Sequence, residues 1–428
     1  MSSLVQTFAS SNPFSIDDFR HAHPELLSEL SEKPPEISWV PSYDRYRECI
    51  ETKKTYETQA AVLPKGWPAH VGGSLCWDGR YFDEQRKKDE VYVQLSATHI
   101  DEIEDALEHF CSLQLSNGHI TQETFPLSIT GTLLRTCSTR IHNGIGIVVL
   151  QGLDPSKYSV QSNTIIHAGI SAYIGNRRGV QNRHDTAVLS HVVDTKEQYA
   201  RKEYVMPTYS NVSQPFHTDL GDIVSLYVLD QASIGGTSRV ASIATIYNKV
   251  VRTRPDLINT LAKPWVIDGF GTQPPYTLRP LLFYHDGHLI INFARRLLTG
   301  AGAHERSSYL PHISKAQADA LEVIEFMARD VALDLDLKPG DIQFINNLAT
   351  VHGREAFVDD TRSVAGELSR KRHLMRLWIR DKELAWSIPE ELSSEWRRTY
   401  PEDVGPDDEI WPEQPDTRVV TDATQLCS

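Results

Sequence analysis

The triplet His217-Thr218-Asp219 sets an imidazole and a carboxylate two positions apart. On a strand, residues i and i+2 project from the same face, so both groups can reach one point. That is two-thirds of a 2-His-1-carboxylate set, which holds non-haem Fe(II) and leaves positions open for small ligands. The rival reading is an ordinary surface His–Asp pair. With 17 histidines and 57 acidic residues in 428, composition alone supplies about two His-x-Asp/Glu triplets. The chain has three, so context has to choose among them. His99-Ile100-Asp101 falls on a helical pattern, where i and i+2 diverge. His23-Pro24-Glu25 lies in a polar N-terminal stretch beside a proline. Only His217/Asp219 leads into a β-branched apolar run, Ile223, Val224, Leu226, Tyr227, Val228 and Leu229, which closes on Gly235-Gly236.

A third ligand is offered by His352. It follows a strand pattern over 342–348 and sits beside Gly353, which permits close approach. Its alternative is a plain core or surface histidine. A last strand pattern, 372–380, puts Arg372, Leu374, Arg376, Trp378 and Arg380 on one face and His373, Met375, Leu377 and Ile379 on the other. Arginines on the inner side of a core strand are costly unless anions meet them, and guanidinium forks suit carboxylates. If that face is solvated instead, they are ordinary surface charges.

The elements that would position these residues follow from pattern. A short strand is expected over 90–95. Thr98 is read as the cap of the next helix, with Asp101 at the capping-box position and Ile100, Ile103, Leu107 and Phe110 at helical spacing. The apolar run Ile147-Val148-Val149-Leu150 reads as a core strand. Residues 165–205 read as loops with a short helix near 195–203. Ser242 starts a helical segment, and Pro255 suits a first helical turn. His285-Asp286-Gly287-His288 lies between two apolar runs as a hairpin signal. Ser314-Lys315-Ala316-Gln317 is a capping box before a long amphipathic segment. A polar loop, 359–371, precedes the last strand.

The composition is that of an ordinary globular protein, 40% hydrophobic and 23% charged. A net charge of −14 argues against nucleic-acid or anionic-membrane partners. The acidity is concentrated at the end, where residues 390–428 hold 11 acidic and 3 basic residues; this reads as a solvated or wrapping segment. The five cysteines are widely spaced with no C-x-x-C, which indicates free thiols and a reducing compartment. No apolar run approaches 18 residues and no charged-then-apolar leader is present, so a soluble, cytoplasmic protein is expected. No internal repeat and no glycine-rich phosphate loop appear.

Taken in order, PFHTD, the GGTS turn, FINNLATVHGREAF and KRHLMRLWIR resemble the taurine dioxygenase (TauD/TfdA-like) family of Fe(II)- and 2-oxoglutarate-dependent oxygenases, over roughly residues 60–385. The resemblance implies a mainly β, α+β fold with outer helices around a double-stranded β-helix, or jelly roll. It divides the chain into an N-terminal extension (1–60), the oxygenase domain (61–385) and an acidic tail (386–428). By similarity His217, Asp219 and His352 hold iron, and Arg372 binds the distal carboxylate of 2-oxoglutarate. Arg376 lies near that carboxylate or a substrate anion. Ser238, with Thr237 as the alternative, supplies a hydroxyl to 2-oxoglutarate. Asn211, Asn292 and Arg296 approach the open side of the metal, where a small-molecule substrate, one bearing a carboxylate among the candidates, would sit. The implied reaction consumes 2-oxoglutarate and O₂, releases succinate and CO₂, and oxidises a substrate carbon by hydroxylation, desaturation or ring closure. Two departures stand out. The interval from His352 to Arg372 is longer than in compact members, with Arg362 nearer the usual offset, and the family's GGDT turn is Gly235-Gly236-Thr237-Ser238 here. A metal-dependent hydrolase or isomerase on the same barrel, or a non-catalytic binding protein, are the other classes that fit the same residues.

Overall fold

The apolar run after Asp219 becomes the strand Ile223–Asp230, in the middle of a seven-stranded sheet. The strands run Tyr92–Gln94, Ile147–Gln151, Ile342–Asn346, Ile223–Asp230, His373–Arg380, Arg177–Gly179, and Leu189–Val193 also pairs with His373–Arg380. A four-stranded sheet has the order Leu333–Leu335, Ser238–Ser242, Thr350–Arg354, Gln214–His217. The first pair of the larger sheet is parallel; the other pairs in both sheets are antiparallel. These assignments come from a computed structural model that describes residues 15–24, 26, 35–51, 63–196, 205–270, 272, 274–301, 304–360, 371–416 and 418, and the strand counts are of those residues.

Most residues of the larger sheet's strands are apolar, and period-2 alternation divides them between its two faces. Val148, Leu150, Tyr227, Phe344, Met375 and Leu377 pack outward under helical residues such as Phe110, Leu134, Ile141 and Ile166. Ile147, Val149, Val224, Ile345 and Trp378 face the space between the sheets. Both faces are therefore buried. The smaller sheet divides in the same way. Phe216, Ala241 and Val351 pack under the helices Ile243–Thr253, Pro255–Ala262 and Lys315–Val331, which leaves His217, Val240 and His352 for the interior. The two sheets form the jelly roll of an α+β fold, as the sequence reading expects.

Several local expectations hold in detail. Ser242 and Ser314 are the N-caps of their helices, and Ser314 forms the box with Gln317. The hairpin turns at Asp286 and Gly287, both with positive φ, the type I′ geometry of a two-residue loop. Others shift. The helix Ala97–Leu113 is capped by Ser96, not Thr98, and its box partner is His99 rather than Asp101; the Ser96 N–H donates to His99 Nδ1 at 3.1 Å. The strand expected over 90–95 is only Tyr92–Gln94, because residues 85–91 are helical. The strand expected over 342–348 stops at Asn346, where the Asn346 side chain accepts from the N–H groups of Leu348 and Ala349 and turns the chain. The last strand begins at His373, one residue after Arg372. Arg362 and most of the helix expected near 195–203 lie outside the described residues.

Both flanking segments pack against this core. Tyr43 meets Phe326 edge-on and Tyr46 lies tilted against it, both from the helix Tyr43–Glu51. At the other end Trp386, Leu392, Trp396 and Tyr400 cluster with Phe283, Leu348 and Ala349, just beneath the turn that leads into the strand of His352. Trp396 Nε1 donates to Asp222 Oδ1 at 2.6 Å, and Tyr400 Oη accepts from the Asp222 N–H at 3.1 Å. Asp222 is also gripped by Arg380. Cys49, Cys76, Cys111 and Cys137 are free thiols, while Cys427 lies outside the described residues. No described helix is long and apolar enough to cross a membrane. Because Trp396 fills a buried pocket and satisfies a buried carboxylate, Trp396→Ala should lower the unfolding free energy by about 3–5 kcal/mol in a urea titration. A loss below about 1 kcal/mol, the range of a surface change, would show that the C-terminal helix is peripheral.

Candidate metal centre

His217 ends the strand Gln214–His217, and His352 lies opposite it in register on Thr350–Arg354. Their rings are 4.3 Å apart, centroid to centroid. Asp219 follows His217 by two residues on a segment whose backbone is pinned from three sides. Asn347 Oδ1 accepts from the Asp219 N–H at 3.0 Å, and Asn347 Nδ2 donates to the carbonyls of Asp219 and Gly221. Thr218 and Phe293 exchange hydrogen bonds, with N–H to carbonyl at 2.7 Å and N–H to hydroxyl at 2.9 Å. One carboxylate oxygen and one nitrogen from each imidazole come within 4.8 Å of one another, and all three residues are buried.

The electrostatics suit a cation. His217 Nδ1–H donates to the Pro215 carbonyl at 2.8 Å, which leaves the Nε2 lone pair for a ligand bond. Burial pushes His217 down and, with the neighbouring His217 ring, takes His352 down to about 3; neutral imidazoles are the coordinating form. Burial opposes the charge of Asp219, yet Arg376, the two imidazoles and Trp378 outweigh it and hold its carboxyl below the usual range. Arg376 Nη1 donates to Asp219 Oδ2 at 2.9 Å and Trp378 Nε1 to the same oxygen at 3.2 Å. Oδ1 is buried and has no partner. A buried carboxylate oxygen without a donor is costly, so a metal ion at this point meets an unsatisfied need. The donor set, two imidazoles and a carboxylate, fits Fe(II).

Arg372 and Arg376 are 8% and 5% exposed, so the solvated-face reading of their strand fails. The two differ in what they meet. The resemblance puts Arg376 near the 2-oxoglutarate carboxylate or a substrate anion; in the structure it bonds to Asp219 and, through Nε, to Gln181 Oε1 at 3.0 Å. The guanidinium of Arg372 has no hydrogen bond or ion pair among the described residues. It lies over the Phe357 ring at 5.4 Å and against Gly236, where an added Cβ would sit 3.2 Å from Arg372 Cδ and Nε. The second glycine of the GGTS turn therefore makes room for this arginine. Arg372, Thr237 and Ser238 line one pocket of about 360 Å³. Ser238 Oγ donates to Gln343 Oε1 at 3.0 Å.

The residues read as substrate contacts are dispersed around the centre. Arg296 shares a small cavity with His217, Trp39 and Gln214 and faces the Phe270 ring. Asn292 is buried in the segment that docks on Thr218. Asn211 lies farther off, accepting from the Phe357 N–H through its carbonyl. Three neighbours were not singled out from the sequence. Gln181 comes from a loop with no pattern. Asn347 sits in an Asn-Asn pair at a strand end, a usable turn signal. Arg354 is two residues from His352 on the same strand, and alternation alone would have placed it inside.

The partners of each ligand predict different costs of removal. His352→Ala should abolish Mn(II) and Fe(II) binding in an anaerobic calorimetric titration with little loss of stability, since a neutral ring leaves no charge behind. Asp219→Ala should abolish binding and also cost about 3–5 kcal/mol of unfolding free energy, because Arg376 is left buried without its partner. Metal binding that survives in both variants would take this cluster out of the site.

Comparisons with known proteins identify the family. A profile of the taurine catabolism dioxygenase TauD, TfdA family matches residues 112–378. A taurine hydroxylase-like protein of Stachybotrys chartarum is 38% identical over 364 residues, covering 83% of this chain and 92% of its own. The FR-33289 synthase of Streptomyces rubellomurinus is 28% identical, covering 65% of this chain and 81% of its own. Among solved structures, an asparagine oxygenase in complex with Fe(II), 3-hydroxyasparagine and succinate shares the fold, with a TM-score of 0.52 at 16% identity over 67% of this chain and 93% of its own. The family match over more than half the chain, and the 38% identity along most of it, establish that this protein belongs to the TauD/TfdA family of Fe(II)- and 2-oxoglutarate-dependent dioxygenases.

Proposed function

We propose that this oxygenase oxidises an unactivated carbon of a small molecule, with hydroxylation the first reaction to test and desaturation or oxidative cyclisation as variants of the same chemistry. A relative described as taurine hydroxylase-like supports hydroxylation. The observation that carries the reading is Arg372: a buried guanidinium with no hydrogen bond among the described residues, directly before the strand whose Arg376 reaches Asp219. A hydrolase or isomerase using the cluster alone has no need of it, whereas a dicarboxylate co-substrate does.

Each residue then has a distinct task. His217 and His352 offer neutral nitrogens, and Asp219 offers Oδ1. Arg376 and Trp378 hold Oδ2, so the carboxylate presents one oxygen in a fixed orientation. Arg372 grips the distal carboxylate of 2-oxoglutarate as a fork, and Ser238 or Thr237 adds a hydroxyl donor. Val240, Leu335 and Trp378 keep water from the reacting carbon. Bound Fe(II), with 2-oxoglutarate and O₂, supplies the oxidising power and releases succinate and CO₂. Arg296, Asn292 and Asn211 are read as substrate contacts, with Arg296 suited to an anionic group. Residues 61–385 are read as the oxygenase unit, with residues 1–60 as an N-terminal extension and 386–428 as an acidic tail. The free cysteines support a reducing, cytoplasmic setting.

The co-substrate assignment is tested by titrating 2-oxoglutarate at saturating Fe(II) and following succinate release. Arg372→Ala should raise the apparent constant about 10- to 1000-fold, from the worth of a charge-assisted fork. Arg372→Lys should recover part of this, since lysine keeps the charge and loses the fork. If Arg372→Ala behaves as wild type while Arg362→Ala carries the defect, the anion site lies upstream of the last strand.

A further inference from the structure

Arg354 is 6% exposed and belongs to no function described so far. It follows His352 by two residues on Thr350–Arg354, so its side chain enters the same interior. In register it faces Ser238 across the sheet. Its guanidinium is held by one nitrogen only: Nη2 donates to the carbonyls of Val212 at 2.6 Å, Ser210 at 2.9 Å and Pro207 at 3.5 Å. Nε and Nη1 are buried and meet no acceptor among the described residues. An arginine that served only to anchor the chain at 207–212 would leave two of its donors unsatisfied in a dry place, which is costly.

Arg372 is its neighbour, also buried, with the Asp359 carboxylate near it. Both guanidinium groups lie over one aromatic ring, Phe357, at 4.7 Å for Arg354 and 5.4 Å for Arg372. Asp359 acts on both cations and Asp194 on Arg354, yet neither carboxylate bonds to Nε or Nη1 of Arg354; a ligand carboxylate can accept from two forks at once, having two oxygens and about four lone-pair sites. We infer that Arg354 is a second guanidinium of the 2-oxoglutarate site, gripping the distal carboxylate together with Arg372. This rests on the co-substrate reading above. It assigns Arg354 two roles through different nitrogens: Nη2 fixes the chain at 207–212, while Nε and Nη1 face the ligand.

The test compares two 2-oxo acids that differ at the distal end. Full-length, Mn(II)-loaded protein is titrated calorimetrically without O₂, once with 2-oxoglutarate and once with 2-oxobutyrate, which lacks the distal carboxylate. Arg354→Met should weaken 2-oxoglutarate about 10- to 100-fold and leave 2-oxobutyrate unchanged, and Arg354→Lys should fall between. Unchanged 2-oxoglutarate affinity, or an equal loss for both acids, overturns the assignment; the second result would mean that Arg354 only props the chain at 207–212. Should neither variant fold, the anaerobic crystal structure of the wild-type protein with 2-oxoglutarate decides. The distal carboxylate is expected within about 3.2 Å of Arg354 Nε or Nη1, and contact with Arg372 alone refutes the proposal. Arg372→Ala serves as the control in the titration. If it too binds 2-oxoglutarate as wild type does, the failure belongs to the co-substrate reading itself.

Discussion

The ion pair between Arg376 and Asp219 is the contact on which the site depends. A lone carboxylate in this interior would protonate and lose its value as a metal ligand. Arg376 keeps it charged, and with Trp378 it occupies one oxygen and leaves the other for the metal. The pair must be placed accurately, because one partner left without the other would be a buried charge. Much of the surrounding structure serves that placement. Asn347 holds the backbone of Asp219. Gln181 holds Arg376. Three residues beyond Asp219, Asp222 is fastened to Arg380, Trp396 and Tyr400.

That last anchor gives the C-terminal segment a physical reason. Gly221, with φ of +87°, has the Tyr400 hydroxyl 2.6 Å from where a Cβ would be, so the metal-bearing loop and the tail are fitted directly to each other. The same cluster supports Leu348 and Ala349, which turn the chain into the strand of His352. One segment thus braces both halves of the ligand set. It lies beyond residue 378, where the family match ends.

The parts of this arrangement that follow from local alternation were legible in the sequence. His217 and Asp219 share a face because they are two apart on extended chain. His352 is inside because Val351 is outside, and Arg372 and Arg376 are inside because Met375 and Leu377 pack under helices. What local pattern does not carry is which buried group meets which. Nothing near Arg376 in sequence shows that it reaches Asp219 rather than an anion, and Gln181 and Trp396 arrive from distant segments. The cap of the helix Ala97–Leu113 is a smaller case. Ser96 and Thr98 both suit the pattern, and the choice falls to Ser96 because Leu95 is still hydrogen-bonded to Gln151, so the helix starts directly after it. Arg354 follows from the same alternation as His352, one step further along Thr350–Arg354.

One interior that holds both a metal ion and a 2-oxo dicarboxylate should bring the two into contact. Anaerobic optical titration of the purified protein with Fe(II) and 2-oxoglutarate reads that contact. A visible charge-transfer band is expected that needs both additions, saturates at one of each per chain, and is absent when either is left out. Fe(II) that binds with no spectral response to saturating 2-oxoglutarate would contradict it.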